Sequence, residues 1–232
     1  MLGTYLMDIT CISDLHGFYP ELEGGDLLIV AGDLTATNGY SHIIRFKNWI
    51  FENFSKYLKI CFIAGNHDNW IQERFLIYSE NFLNRKINYL EDSETEFEGL
   101  KIWGSPWTRT FSNMNPSCMA FTCDSEEKLS NKWDLIPDDI DILVTHGPPY
   151  GMLDEVRRCG FDHNSYIENT GSISLRDTVD RVKPKLHVFG HIHEHGGKQL
   201  LYKHAGPNTI MVNAAYVDER YRPVNKPFRV IL

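Results

Sequence analysis

The sequence predicts a layered α/β protein built on a largely buried sheet. Three observations carry that expectation. Apolar runs of strand length, such as "DLLIVAG" (26–32) and "KICFIAG" (59–65), show no polar alternation, as expected of strands covered on both faces. Between them, "YSHIIRFKNWIFENFSKYL" (40–58) spaces Ile43, Ile44, Phe46, Ile50, Phe54 and Tyr57 at helical intervals. The order strand, strand, helix, strand is that of a sheet covered by helices.

The elements then follow in order. "DITCIS" (8–13) reads as the first strand, 26–32 as the second and 59–65 as the third. Ser41 is the expected N-cap of the 40–58 helix. "INYLEDSETEFEGLKIWGSP" (87–106) reads as short strands around a glycine turn. Residues 125–136 and 172–184 read as helices, the second stopped before Pro184. Residues 141–149 and 185–190 read as strands, and the tail beyond Leu200 as two or three antiparallel strands. Residues 106–125 and 150–171 read as irregular, and their length makes them candidate walls of a substrate site.

A chain of 232 residues fits one domain, taken as 1–232, large enough to bury its own core. The net charge of −8 argues against binding to a nucleic-acid backbone, which requires clustered lysine and arginine. A small anionic substrate is still compatible, because bound cations reverse the local field. Cys11, Cys61, Cys118, Cys123 and Cys159 are scattered, with no Cys-x-x-Cys. They read as reduced thiols in a cytosol-like compartment, with Cys11 and Cys61 as core residues. No stretch of membrane-spanning length is apolar and the N-terminal residues do not read as a signal peptide, so a cytoplasmic location without membrane contact is expected. The oligomeric state is left open.

The chemistry lies where the strands end. The first strand runs into Asp14 and His16, the second into Asp33, and the third into Asn66, His67 and Asp68. The strand at 141–149 reaches His146, and that at 185–190 reaches His191 and His193. Ligands of open α/β sheets bind at such carboxyl ends. A buried group of carboxylates and imidazoles is costly unless paired or metal-bound. Two divalent ions satisfy the count: Asp14, His16 and His193 around one, Asn66, His146 and His191 around the other, and Asp33 bridging with one oxygen to each. Asp14-x-His16 and His191-x-His193 are expected to converge because alternate residues of an extended segment point the same way. Gly17, Gly32, Gly65, Gly147 and Gly190 are expected to allow tight turns there. Nitrogen and oxygen donors without thiolate suit Mn, Fe or Zn. Paired ions promote in-line attack of a hydroxide on phosphorus. His67, not used as a ligand, is the candidate general acid, and Asp68 is read as orienting its ring, with a helix N-terminal carboxylate as the alternative.

The blocks Asp-x-His, Gly-Asp, Gly-Asn-His-Asp, His and Gly-His-x-His, in that order over residues 14–193, resemble the calcineurin-like metallophosphoesterase signature. "YLEDSETEFEGLKIWGSPWT", "KWDLIPDDIDILVTHGPPYG" and "KPKLHVFGHIHE" are similar to small single-domain phosphodiesterases related to the class III cyclic-nucleotide type. The resemblance implies a four-layer αββα sandwich with two mixed sheets. It also implies hydrolysis of a small phosphodiester or nucleotide, often with Mn. A phosphomonoesterase using the same site, or a non-catalytic scaffold, are the competing functions. "GDLTATNG" lacks the arginine that the superfamily's protein phosphatases carry after Gly-Asp. His187 is expected in the core and His195 near the surface, while His42, His163 and His204 are not expected as ligands. Trp107 is read as packing or stacking on a base, and Asn213 as fixing a site loop or a strand end.

Overall fold

A computed structural model describes residues 6–36, 40–73, 82–111, 116–159 and 164–232. The chain begins β1 (Asp8–Ile12), β2 (Leu27–Ala31), α1 (Tyr40–Glu52), β3 (Lys59–Ile63), α2 (Asn69–Gln72) and β4 (Ile87–Tyr89). It continues through β5 (Ser93–Phe97), β6 (Leu100–Ser105), β7 (Thr108–Arg109), β8 (Thr122–Cys123), α3 (Glu126–Trp133) and β9 (Ile142–Thr145). The last part holds β10 (Glu155–Cys159), β11 (Ser165–Asn169), α4 (Ile173–Val182), β12 (Leu186–Phe189), β13 (Lys198–Tyr202), β14 (Thr209–Asn213) and β15 (Phe228–Ile231).

Two mixed sheets face each other, in the orders β15-β1-β2-β3-β4 and β13-β14-β12-β9-β6-β5. In each, the central strands are parallel and an antiparallel strand closes an edge, β15 on β1 and β13 on β14. The period of two decides which side chains go where. Ile9, Cys11, Leu27, Ile29, Cys61 and Ile63 meet Ile142, Val144, Leu186, Val188 and Val212 between the sheets. Their neighbours Leu28, Val30, Ile60 and Phe62 face outward, under Ile43, Phe46, Trp49 and Ile50 of α1. On the far side Leu143, Phe189 and Met211 lie under Leu129 and Trp133 of α3 and Leu175 and Val179 of α4. The layers are therefore helix, sheet, sheet, helix. Each large side chain buried this way contributes about 1.5–3 kcal/mol. Cys11 and Cys61 are core residues as expected, with burial pushing the Cys61 thiol up to about 12. All five cysteines are free.

Several expected boundaries differ. The helix already includes Tyr40, so Ser41 is its second residue and not its cap. It stops at Glu52, where the Asn53 amide turns back onto Trp49 O at 2.8 Å, and a short 3-10 turn at Phe54–Lys56 follows. α3 and α4 are capped by Ser125 and Ser172, whose side chains accept from Lys128 N and Leu175 N. Residues 150–171 are not irregular throughout: β10 and β11 pair as an antiparallel ribbon. Their side chains are largely exposed, so no apolar period marks them. In 106–125, β7 and β8 form a short parallel pair. Among the described residues no helix is long and apolar enough to cross a membrane.

His187 is buried on the helix-facing side of β12, beside Phe189. Thr145 Oγ1 donates to Gly147 O at 2.7 Å, so His187 Nε2, 2.8 Å away, is the donor to that hydroxyl, and Nδ1 has no partner. Burial pushes the His187 pKa down to about 3, against an ordinary value of 6.5. Below the ordinary value the unfolded chain binds a proton that the folded chain refuses. This contribution to stability is therefore full above that pH and declines as pH falls, by about 1.4 kcal/mol per pH unit. His187→Gln, which keeps a donor toward Thr145, is expected to flatten the pH dependence of the urea midpoint between about pH 4 and pH 6.

Candidate metal centre

The donors converge because β1, β2 and β3 run parallel in one sheet and β9 and β12 run parallel in the other. Asp14 follows β1, Asp33 follows β2, Asn66 follows β3, His146 directly follows β9, and His191 follows β12. Asp14, Asp33 and His146 are almost completely buried.

One group consists of Asp14, His16 and His193, with ligand atoms within 4.8 Å of one another. Asp14 Oδ1 lies 3.1 Å from His193 Nε2, and the two ring nitrogens His16 Nε2 and His193 Nε2 face each other at 3.3 Å. A second group consists of Asp33, His146 and His191. Asn66 Oδ1 joins it, 3.0 Å from His146 Nε2, because its amide nitrogen is committed to Cys118 O at 2.9 Å. Asp33 lies between the groups. Its Oδ2 is 3.5 Å from His16 Nε2 and its Oδ1 is 3.4 Å from His146 Nε2. All seven proposed ligands are thus brought together, one Asp33 oxygen turned toward each group.

The donor set fits a pair of divalent cations. Two buried carboxylates share one cluster, and the Nε2 atoms of His16, His146 and His193 turn toward them. His146 Nδ1 faces Ala31 O at 3.0 Å, which leaves Nε2 as the lone-pair nitrogen toward the centre. The titration pattern reflects the crowding. Burial opposes ionisation of Asp14, but the hydrogen bond and charge of His193 hold its carboxyl well below the usual range. Asp33 is likewise lowered, burial being outweighed by His146 and His67. Burial opposes a proton on His146 too, yet the Asp33 carboxylate raises it to about 9. Burial pushes His16 down to about 4 and His191 down to about 3.

The backbone converges differently from expectation. Asp14 (φ 52°), His16 (φ 42°), Asp33 (φ 50°) and His191 (φ 66°) all adopt the left-handed conformation. The Asp14-x-His16 and His191-x-His193 segments are therefore turns and not pleated strand, since the strands end before them. Left-handed residues bearing a Cβ are strained, and such strain collects at functional sites. Gly65 and Gly190 serve close approach, not turning. A Cβ at Gly65 would collide with the Asp33 carboxylate, and one at Gly190 with that of Asp14.

His67 lies beside the cluster, with Nε2 3.9 Å from Asp33 Oδ2 and its ring edge-on to His16. Its Nδ1 faces Ala36 O at 3.1 Å and contacts Cys118 Sγ at 3.4 Å. Asp68 does not hold that ring. Its oxygens accept from Leu34 N, Thr35 N, Thr35 Oγ1 and Gly65 N at 2.8–3.0 Å, which pins the loop after β2 to the loop after β3. It heads α2 without capping it.

The remaining candidates are structural. Asn213 Nδ2 donates to Ile192 O at 2.9 Å and its Oδ1 accepts from Ala215 N, so it holds the loop carrying His191 and His193. Trp107 donates to Asp92 Oδ2 and lies under the Lys132 ammonium, so it packs. His195 faces Glu155, His204 faces Asp180 and Thr209, and His42 accepts from Ala36 N. Arg158 pairs with Glu168 across the ribbon. His163 lies outside the described residues. The sequence reading missed three neighbours. Cys118 bonds Asn66 through its carbonyl, Phe111 stacks on His191 with centroids 5.4 Å apart, and Tyr221 is edge-on to His16 and His193. None carries a local motif, because each arrives from a loop remote in sequence.

Comparison with known proteins agrees with this geometry. The calcineurin-like phosphoesterase profile matches residues 7–195. Metallophosphoesterase domain-containing protein 1 of Homo sapiens is 34% identical over 246 residues, covering 96% of this chain and 70% of the human protein. The Mus musculus protein of the same name matches equally. In fold, the chain is similar to a Thermus thermophilus crystal structure, with a TM-score of 0.62, 17% identity and 98% of both chains covered. The profile spans every donor from Asp14 to His193, and the chain belongs to the calcineurin-like phosphoesterase family.

Proposed function

We propose that the protein is a metal-dependent phosphodiesterase acting on small diesters such as cyclic nucleotides. The observation that carries this reading is the division of Asp33, one oxygen toward His16 and the other toward His146. Asp14, His16 and His193 would hold one divalent ion, Asn66, His146 and His191 a second, and Asp33 both. Such ions, when bound, activate water and neutralise charge on the phosphoryl oxygens.

The protein's own groups complete the chemistry. With Nδ1 turned to Ala36 O, His67 presents Nε2 toward the centre. There it holds a proton and delivers it to the leaving oxygen. The charge of the site favours a diester. Among the described residues, the ion pairs of Asp14 and Asp33 are with histidines and not with lysine or arginine. A monoester dianion carries a second charge that such a site leaves uncompensated, whereas a diester monoanion does not. The unpaired cysteines support a cytosolic setting.

Metal-stripped protein supplied with Mn is expected to hydrolyse bis(p-nitrophenyl) phosphate at least about tenfold faster than p-nitrophenyl phosphate. A monoester preference would turn the reading to a phosphatase. Asp33→Ala is expected to lower bound metal from two ions per chain, measured by atomic emission, and to cut kcat by at least about a hundredfold, since even groups outside the ligand shell matter by 10–100-fold. His67→Ala is expected to keep its metal. It should lose about a hundredfold on 2′,3′-cyclic AMP, whose leaving group is an alkoxide, and far less on the nitrophenyl diester, whose leaving group departs without a proton. Equal losses on both would remove His67 from the role of acid.

A further inference from the structure

Tyr221 stands at the mouth of the centre and has no part in the chemistry above. Its ring is edge-on to His16 (centroids 4.8 Å, 80°) and to His193 (5.1 Å, 89°), and lies 6.0 Å from His67. The residue is nonetheless 48% exposed, so one edge touches the donor rings while the rest faces solvent. Its backbone is left-handed, with φ 57°. A tyrosine adopts that conformation only where its surroundings impose it.

Asp218 imposes it. One carboxylate oxygen accepts from Arg220 N and Arg222 N at 2.9 Å, and the other from Arg222 Nε at 2.7 Å. Tyr221 N donates to Asp218 O at 2.8 Å, Asp218 N donates to Arg222 O at 2.9 Å, and Val217 bridges Pro223 below the turn. A single carboxylate thus fastens the loop whose apex carries the ring. Across the centre Phe111 lies flat on His191. An aromatic ring therefore borders each donor group.

We propose that Tyr221 is a specificity-determining residue, a fixed aromatic wall against which the planar part of the leaving group packs. The site then prefers phosphoesters of aromatic or base-bearing alcohols over ring-free ones. This rests on the phosphodiesterase reading, in which the leaving oxygen takes its proton from His67, on Tyr221's side of the centre. A ring already held in place loses little conformational entropy when it packs against substrate.

The test compares kcat/KM of the Mn-loaded protein for bis(p-nitrophenyl) phosphate and for ring-free glycerol 1,2-cyclic phosphate. It is paired with calorimetric affinities for phenylphosphonate and methylphosphonate. Tyr221→Ala is expected to lower the ring-bearing to ring-free ratio about tenfold, mainly through KM, and to erase the preference for phenylphosphonate. Tyr221→Phe should restore both, and Asp218→Asn, which loosens the loop, should fall between. A ratio unchanged in Tyr221→Ala, or losses equal on both esters, would overturn the assignment. If the wild-type protein cleaves neither ester, the phosphodiesterase reading fails on its own. The phosphonates still decide the wall: a phenyl preference abolished by Tyr221→Ala upholds it, and no preference overturns it.

Discussion

Two carboxylates without access to water, Asp14 and Asp33, set the terms for the rest of the structure. Burial raises the cost of ionising both, and for Asp14 the nearby Asp33 charge adds to it. They stay ionised because imidazoles surround them and because backbone amides donate to them, His191 N to Asp14 and His67 N to Asp33 Oδ1. In this arrangement His146 and His193 carry raised pKa values and act as countercharges. A cation entering the site competes with those protons, so binding releases them and strengthens as pH rises.

Keeping such a cluster together demands a frame that does not yield. The frame is the sandwich, whose parallel strands deliver five chain segments to one edge. Three of them, those after β1, β2 and β12, then leave strand geometry through left-handed residues that only dense packing can sustain. Asn213 shows how the frame reaches the site. It ends β14 in the sheet, accepts from Ala215 N, and donates to the carbonyl between His191 and His193. The packing that buries β14 therefore also sets where two donor histidines stand.

Much of this was legible in the sequence. Continuous apolar runs without polar alternation marked the buried strands, and the residue types at their ends marked the donors. What escaped has physical reasons. The β10–β11 ribbon is exposed on one face and at most half-buried on the other, so hydrophobic patterning carries little trace of it. The end of α1 was set by a local Asn53 contact that outweighed a continuing apolar spacing. The convergence of Asp14 with His16 was foreseen, but by the wrong geometry, because composition does not distinguish pleated strand from a left-handed turn. Gly65 and Gly190 were noticed as glycines, yet the carboxylates that exclude a Cβ there come from other strands. Tyr221 depends on the Asp218 loop folding back across the chain, a tertiary fact without a local signature.

Asp68 shows why adjacency in sequence misleads about function. It neighbours His67, and a carboxylate beside an imidazole invites the reading of an orienting pair. In the fold its carboxylate points away from that ring and gathers four donors from two loops. Burial and the nearby Asp33 push its pKa up to about 6, and those donors hold it from rising further. An amide in its place would supply one acceptor oxygen and turn its nitrogen toward a backbone N–H. The carboxylate accepts on both oxygens. By joining Leu34 and Thr35 to Gly65 it fixes the spacing between Asp33 and the Asn66–His67 turn, and with it where the His67 ring stands relative to the Asp33 carboxylate. The fourth residue of Gly-Asn-His-Asp thus shapes the candidate metal centre through two loops, without touching the ring beside it.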